Sequence, residues 1–505
     1  MTGKVWLVGA GPGDAGLLTR KGEAVLKEAQ VVVYDRLVGD GILSMIPAGI
    51  RTIDVGKNAG NHTRSQEEIN QILVEEAKRG YRVVRLKGGD PFLFGRGGEE
   101  LELLCENNIS YEVVPGVTSS LAVPAYNGIP VTHRDYCSSL HIITGHKRAG
   151  EAYDIDFDAL VRTKGTLVFL MGVSALGDIC EALLNAGMEG TMPAAILQQG
   201  TTAGQKRIVA TVATLPEETA RQGIETPAII VVGKVCELAD TFAWYEKLPL
   251  AGCKVVVTRP RELNSQMADK LRKKGAEVLE LPAIATTAIS ENEKLKECLC
   301  GIERYQWIAF TSPAGVRIFF EQMQAWKMDV RRLWNCKMAV IGSGTARELI
   351  QRGIYPELMP DHYDGEALGK ALADTCAGGS RILLARAKSG NPEILQEIAK
   401  GKQLSVDDVA VYETSYEHAE CLDEQKLFEQ GQISCAIFTS ASTVRGFAES
   451  SGNLDLKQVT AVCIGKQTKA QADAYGMRTF VAEQATMDSL VELTIQLRID
   501  GKIGQ

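Results

Sequence analysis

At 505 residues with 45% apolar content, the chain is long enough for roughly three or four domains, each burying its own core. A net charge of −8 excludes a general nucleic-acid binder, which would carry a basic stripe. The twelve cysteines lack the Cys-x-x-Cys or Cys/His spacing that zinc requires, so no metal site is expected and the thiols read as reduced, small apolar residues. No apolar run reaches membrane-spanning length, and Met1 to Trp6 lead into a strand without an apolar leader, which predicts a cytoplasmic protein with no membrane partner.

Lys4 to Val8 form a short apolar strand ending in Gly9-Ala10-Gly11-Pro12-Gly13-Asp14-Ala15-Gly16, with Leu18, Gly22, Val25, Leu26 and Ala29 following at helical spacing. Gly11, Gly13 and Gly16 satisfy a dinucleotide fingerprint, and Asp35 ends the next strand about where a ribose-binding acid belongs. A nicotinamide enzyme is therefore one reading, although Pro12 removes an N–H from the loop that would cradle a pyrophosphate. Arg51 to Val55 make a third strand closed by Gly56-Lys57; Ser65 and Glu68 form a capping box, and the helix behind them returns the chain to a strand over Arg82 to Leu86. That strand stops at Gly88-Gly89-Asp90-Pro91, where residues without Cβ allow close approach by a ligand, and Arg96 to Glu99 open a new helix. The alternation predicts a mostly parallel sheet that gathers Pro12, Asp35, Lys57 and Gly88 to Asp90 on one rim.

Glu112 to Gly116 read as an interdomain turn and Thr118-Ser119-Ser120 as a helix start. Strands over Leu140 to Thr144, Thr166 to Met171, Ala194 to Gln198, Lys206 to Thr211 and Ala228 to Val232 have connections of unequal length, which predicts a second, mixed sheet and a cleft between the two.

The motifs Gly9 to Asp14, Val33-Tyr34-Asp35-Arg36-Leu37, Arg85 to Glu100, Val114 to Ser119, Gly128 to Arg134 and Met171-Gly172 together make residues 1 to about 245 resemble the uroporphyrinogen-III C-methyltransferases. The resemblance implies a two-domain tetrapyrrole-methylase fold, split at 1–116 and 117–245. It further implies a homodimer formed through this half, and S-adenosylmethionine as donor for methylation of uroporphyrinogen III at C2 and C7. By the same resemblance Pro12, Gly88, Gly89, Asp90, Leu93, Thr118, Ser119, Met171 and Gly200 line the cofactor pocket, and Asp35 and Lys57 serve as proton acceptor and donor. The chemistry suits these types, because an electron-rich pyrrole carbon needs alignment, exclusion of water and removal of a proton rather than an enzymic nucleophile. A substrate with many carboxylates would be met by local cations, foremost Arg36, Arg96 and Arg134 inside the motifs.

Phe242 to Gly252 separate the halves. Beyond them Val257-Thr258-Arg259 recurs as Leu384-Ala385-Arg386; Phe310-Thr311-Ser312 with Val316-Arg317 recurs as Phe438-Thr439-Ser440 with Val444-Arg445; and Val340-Ile341-Gly342 with Thr345 recurs as Cys463-Ile464-Gly465 with Thr468. Three matches in one order indicate an internal duplication, hence two similar α/β lobes. Both repeated strand-to-helix turns offer hydroxyls and backbone N–H groups to an anion, or simple helix capping, and their recurrence predicts a cleft between the lobes. This half is similar to the uroporphyrinogen-III synthases. The similarity implies lobes 252–283 plus 417–500 and 287–412, and closure of hydroxymethylbilane with inversion of ring D. By that similarity Tyr412 would be the active-site tyrosine, with Thr345 and Thr468 as cleft threonines, while Thr311, Ser312 and Ser440 at the repeated turns are substrate-binding candidates from the turns themselves. The alternatives are a methyltransferase of another tetrapyrrole, or a nicotinamide oxidoreductase with a ligand-sensing second half.

Overall fold

The computed structural model describes residues 3–504 except 48, 57–63, 146–153, 259–260, 282–283, 402 and 417–420, and gives only the backbone of 261–265, 284–285 and 414–416. The chain divides into two compact units, Met1–Ala283 with Glu417–Gln505, and Ile284–Tyr416.

The first unit contains three five-stranded sheets. Strands β1 (Lys4–Gly9), β2 (Val31–Tyr34), β3 (Arg51–Asp54), β4 (Arg82–Lys87) and β5 (Ser110–Val114) line up in the order β3-β2-β4-β1-β5, all parallel. The Val-rich interiors of the three central strands β2, β4 and β1 are buried on both faces, the pattern that parallel pairing under helices demands, while the edge strands β3 and β5 are largely half-buried or exposed. Glu112 to Val114, read from sequence as an interdomain turn, belong instead to β5; they pair with β1 because Val113 and Val114 continue its apolar register. The capping box is formed: Ser65 Oγ accepts from Glu68 N at 3.2 Å and the Glu68 carboxylate from Ser65 N at 2.6 Å, starting the helix Gln66–Lys78.

The second sheet holds β6 (Leu140–Thr144), β7 (Thr166–Leu170), β8 (Pro193–Gln198), β9 (Lys206–Thr211) and β10 (Ala228–Val232) in the order β6-β7-β10-β8-β9. Only β6 and β7 pair in parallel, so the sheet is mixed, as the unequal connections predict. The third sheet takes β11 (Lys254–Val257) and β12 (Glu277–Glu280) from one stretch of chain. It takes β18 (Cys435–Phe438), β19 (Thr460–Cys463) and β20 (Arg478–Val481) from another, in the order β12-β11-β18-β19-β20. One apolar core joins this sheet to the first: Val8, Ile42, Ile46 and Leu86 share it with Val256, Leu279, Leu281 and Phe438.

The second unit is a single sheet of β13 (Ile284–Ala288), β14 (Trp307–Phe310), β15 (Lys337–Val340), β16 (Arg381–Ala387) and β17 (Ser405–Tyr416), ordered β13-β17-β16-β14-β15. Its run β17-β16-β14-β15 matches β12-β11-β18-β19 strand for strand, with the repeated Phe-Thr-Ser turns after β14 and β18. The duplication read from sequence is thus a duplication of topology. The copies differ at their edges, where β13 adds antiparallel to β17 and β20 adds parallel to β19.

Candidate active sites

In the first unit the predicted rim exists where β1, β2 and β4 end, and backbone-to-backbone contacts build it. Gly11 N donates to Gly89 O at 3.2 Å and Gly89 N to Gly11 O at 2.8 Å, clipping the loop after β1 to the loop after β4. Asp90 uses both carboxylate oxygens on the chain itself, accepting from Phe92 N (2.8 Å) and Gly116 N (3.0 Å). Several glycines therefore serve loop against loop. A Cβ on Gly9 would stand 2.4 Å from Gly116 Cα, one on Gly116 2.2 Å from Gly89 O, and one on Gly88 2.6 Å from Leu37 Cβ. Gly89 differs: its φ is +68°, and the nearest atom to a Cβ there is Ser119 N at 3.9 Å. Gly89 therefore opens onto space beside the start of the helix Ser119–Tyr126, whose cap is the Thr118 hydroxyl, accepting from Ser120 N at 3.3 Å. A backbone cradle beside a helix N-terminus suits a small polar ligand that must lie close to the chain.

The second sheet supplies the opposite wall. Asp14 N donates to Thr201 Oγ1 at 3.1 Å, which pins the loop after β8 to the loop after β1, and a Cβ on Gly200 would strike Val123 Cγ1 at 2.3 Å, so the same loop also packs closely on the helix Ser119–Tyr126. Met171, Gln199 and Thr201 hold left-handed φ values of 55°, 45° and 72°, and Met171 stays 52% exposed. Non-glycine residues adopt this region at a cost, and such strain gathers at ligand sites. Pro12 is half-buried in the same loop cluster, whereas Leu93 packs against the second domain's core beside Ile129 and Val168.

Asp35 sits half-buried at the end of β2, its carboxylate accepting from Leu37 N (3.1 Å) and from the Arg85 guanidinium (3.2 Å). Arg85 continues to the Glu100 carboxylate at 3.0 Å, and Lys87 reaches the same oxygen at 2.7 Å. These three charges, 3%, 4% and 0% exposed, lie under the rim. Burial first, then the neighbouring Arg85, holds the Lys87 ammonium below its usual range. Sequence reasoning missed the network although all three residues lay inside the stretch it singled out. The available signal was Arg85 and Lys87 on either side of Leu86, past Val83-Val84 in the interior of a strand, since buried charges occur only with partners.

Lys57 lies outside the described residues. Arg36 and Arg134 are exposed on loops, and Arg96, in left-handed conformation at φ 57°, is occupied with Glu99 of its own helix at 2.7 Å. The dinucleotide reading fails on geometry: Ala15–Leu17 is a short 3-10 turn capped by Asp14, and the next helix begins only at Arg20, so no long helix points its N-terminus at the Gly11–Gly13 loop.

In the second unit Ser312 and Tyr412, distant in the chain, meet with their hydroxyls 2.9 Å apart. Ser312 also caps the helix Pro313–Ala325 by accepting from Gly315 N at 3.0 Å. Burial raises the Tyr412 pKa, and the Ser312 hydroxyl only partly offsets this, so the phenol remains a proton donor at neutral pH. Thr311 is half-buried at the end of β14, and Thr345 is buried in the first turn of the helix Ser343–Ile350 after the neighbouring strand β15. The equivalent positions in the first unit are Ser440, which caps the helix Ala441–Ser450, and Thr468, buried in the helix Lys466–Ala474. Each lobe thus carries its pair of strand-end hydroxyls on adjacent strands.

The family model for Tetrapyrrole (Corrin/Porphyrin) Methylases matches residues 4–216, and that for Uroporphyrinogen-III synthase HemD matches residues 265–492. The "Porphyrin biosynthesis protein HemD" of Ruminiclostridium josui is 46% identical over 495 residues, covering 98% of each chain. This chain belongs to that family. The porphyrin-biosynthesis assignment removes the oxidoreductase reading and makes the two halves a methylase domain fused to a synthase domain. The "Uroporphyrinogen-III C-methyltransferase" of Bacillus subtilis (strain 168) is 41% identical over 71% of this chain and 74% of its own. A crystal structure of the Thermus thermophilus uroporphyrin-III C-methyl transferase complexed with S-adenyl homocysteine is 39% identical, covering 46% of this chain and 99% of that one, at a TM-score of 0.40.

Proposed function

We propose that the C-terminal half of this porphyrin-biosynthesis protein closes hydroxymethylbilane to uroporphyrinogen III. The N-terminal half then methylates the product at C2 and C7 to give precorrin-2. The single observation that carries the reading is the presence of both family domains in this chain, the methylase before the synthase. The product of one domain's family is the substrate of the other's.

S-adenosylmethionine, when bound, supplies an electrophilic methyl group. The residues around Gly89 fit such a group, because the backbone at Gly89 is open on the side that faces Ser119 N, so that a polar ligand can lie against the chain beside a helix start. Pro12, Gly88, Gly89, Asp90, Leu93, Thr118, Ser119, Met171 and Gly200 form this pocket in the proposal, with Asp90 acting through the loop it pins. Asp35 accepts the proton that the pyrrole carbon loses, its carboxylate held in place by Leu37 N on one oxygen and the Arg85 guanidinium on the other. Lys57 completes the acid–base pair, and Arg36, Arg96 and Arg134 meet substrate carboxylates.

In the synthase half Tyr412, kept neutral by burial and oriented by Ser312, donates a proton to the departing hydroxyl. Thr311, Ser312, Thr345, Ser440 and Thr468 bind the acidic side chains. The protein works as a homodimer through its methyltransferase half, in the cytoplasm; no helix among the described residues is long and apolar enough to cross a membrane.

The test is incubation of the full chain with hydroxymethylbilane, with and without S-adenosylmethionine. Without donor the type III isomer should predominate on chromatography, and with donor the absorbance of precorrin-2 should grow. Production of the type I isomer alone, or of a singly methylated end product, would overturn the corresponding half of the assignment.

A further inference from the structure

Two charged residues that belong to the synthase half are buried against the methyltransferase. Lys254 begins β11 and Glu277 begins β12, and each is 8% exposed. The Lys254 ammonium reaches Asp40 Oδ2 at 2.6 Å and Glu277 Oε1 at 3.3 Å, while Glu277 Oε2 accepts from Ala203 N at 2.8 Å. Both outer partners lie in the methyltransferase half, in segments that follow β2 and β8. Asp40 opens the helix Asp40–Leu43 directly after the Asp35-to-Gly39 loop, in which Asp35 is bonded to Leu37 N and Leu37 packs on Gly88. Ala203 follows the strained residues Gln199 and Thr201, and Thr201 is tied to Asp14.

The same seam carries further polar contacts. Glu280 N donates to Ser44 Oγ at 3.0 Å, and the Tyr245 hydroxyl donates to Gly275 O at 3.2 Å. An apolar seam alone would bind the domains without specifying their register, whereas charge-assisted bonds of fixed direction set it.

We propose that Lys254 and Glu277 are positioning residues for methyl transfer, holding the loop before Asp40 and the loop before Ala203 in the arrangement that admits the methyl donor. Neither touches donor or macrocycle; they act through Asp40 and Ala203. The synthase lobe is then a structural component of the methyltransferase site. This inference rests on the function proposed above for the N-terminal half.

The experiment uses the full chain carrying Lys254→Met, Glu277→Gln or Asp40→Asn. The dissociation constant for S-adenosylhomocysteine is read by calorimetry, KM and kcat for methylation by absorbance, and synthase activity serves as internal control. Each variant should weaken S-adenosylhomocysteine and raise the KM for the donor by about tenfold, the weight of one buried charged hydrogen bond. The methylation kcat at saturation and the synthase rate should stay near wild type. Lys254→Arg, which keeps the charge, should recover most of the affinity. Folded variants with unchanged affinity and KM would overturn the proposal. So would a parallel fall of both activities with the folded fraction, which marks a purely structural role; Asp40→Asn, at the partly exposed end of the trio, keeps the test readable if Lys254→Met does not fold. Wild-type chain that binds no S-adenosylhomocysteine would instead remove the methyltransferase assignment itself.

Discussion

Asp35 and Tyr412 are held by different physics. The Asp35 carboxylate is fixed by one backbone N–H and one guanidinium, and behind that guanidinium stands a buried Glu100 that also takes Lys87. Asp35→Asn keeps the shape and removes the proposed base, so methylation kcat should fall by about 10² while S-adenosylhomocysteine affinity is retained, as titration calorimetry would measure. Tyr412 gains its proton-donor state from burial, and Tyr412→Phe should lower the synthase kcat by about 10² in a stopped assay of isomer formation, with methylation of supplied uroporphyrinogen III unchanged. Glu424 gives a pH signature. Its carboxyl is pushed from 4.5 up to about 7, by burial first and by the neighbouring Asp423 second. The folded state therefore favours the protonated acid, and its stability contribution is complete below pH 4.5 and lost as pH rises through 7. Glu424→Gln should flatten that loss and leave the protein more stable at pH 8 by up to about 3 kcal/mol, measured by urea unfolding at several pH values.

Strand ends and the glycines after them decide what the elements can do. The sequence marked Gly88 and Gly89 as a place for close approach, and the approach is real, but its partner at Gly88 is Leu37 of the neighbouring loop and at Gly116 the Gly89 carbonyl. Glycine reports that something comes near; which body arrives depends on loops far away in sequence. Gly116→Ala would push its Cβ to 2.2 Å from Gly89 O, so the loops must separate. Overpacking of this kind costs about 1–3 kcal/mol. Calorimetry should show loss of S-adenosylhomocysteine binding with far-UV circular dichroism preserved. Capping was legible in the same stretches: Ser65 with Glu68, and Ser312 and Ser440 at their helices, all follow from short-range geometry that a linear pattern contains.

Across the whole molecule the synthase half is shared out between units. The third sheet joins the methyltransferase through one apolar core and the Lys254 trio, whereas residues Ile284–Tyr416 bury cores of their own around Phe310 and Leu384. Differential scanning calorimetry should accordingly resolve two unfolding transitions, and S-adenosylhomocysteine should raise only the one that belongs to the larger unit, by mass action. A single transition that shifts as a whole would mean that the two units unfold cooperatively.

Periodicity, glycine punctuation and the repeated turns determined the first four strands, the mostly parallel character of the first sheet, the mixed second sheet and the duplicated topology, because each depends on residues a few positions apart or on a recurring pattern; the edge strand β5 was settled only by its pairing with β1. The tertiary structure alone decided that Arg85, Lys87 and Glu100 form a buried network, that Ser312 meets Tyr412, and that Lys254 bridges to Asp40. A charge in a linear sequence reads as a solvated one. Only the packed fold, by excluding water around these groups, turns them into partners whose geometry the chemistry can use.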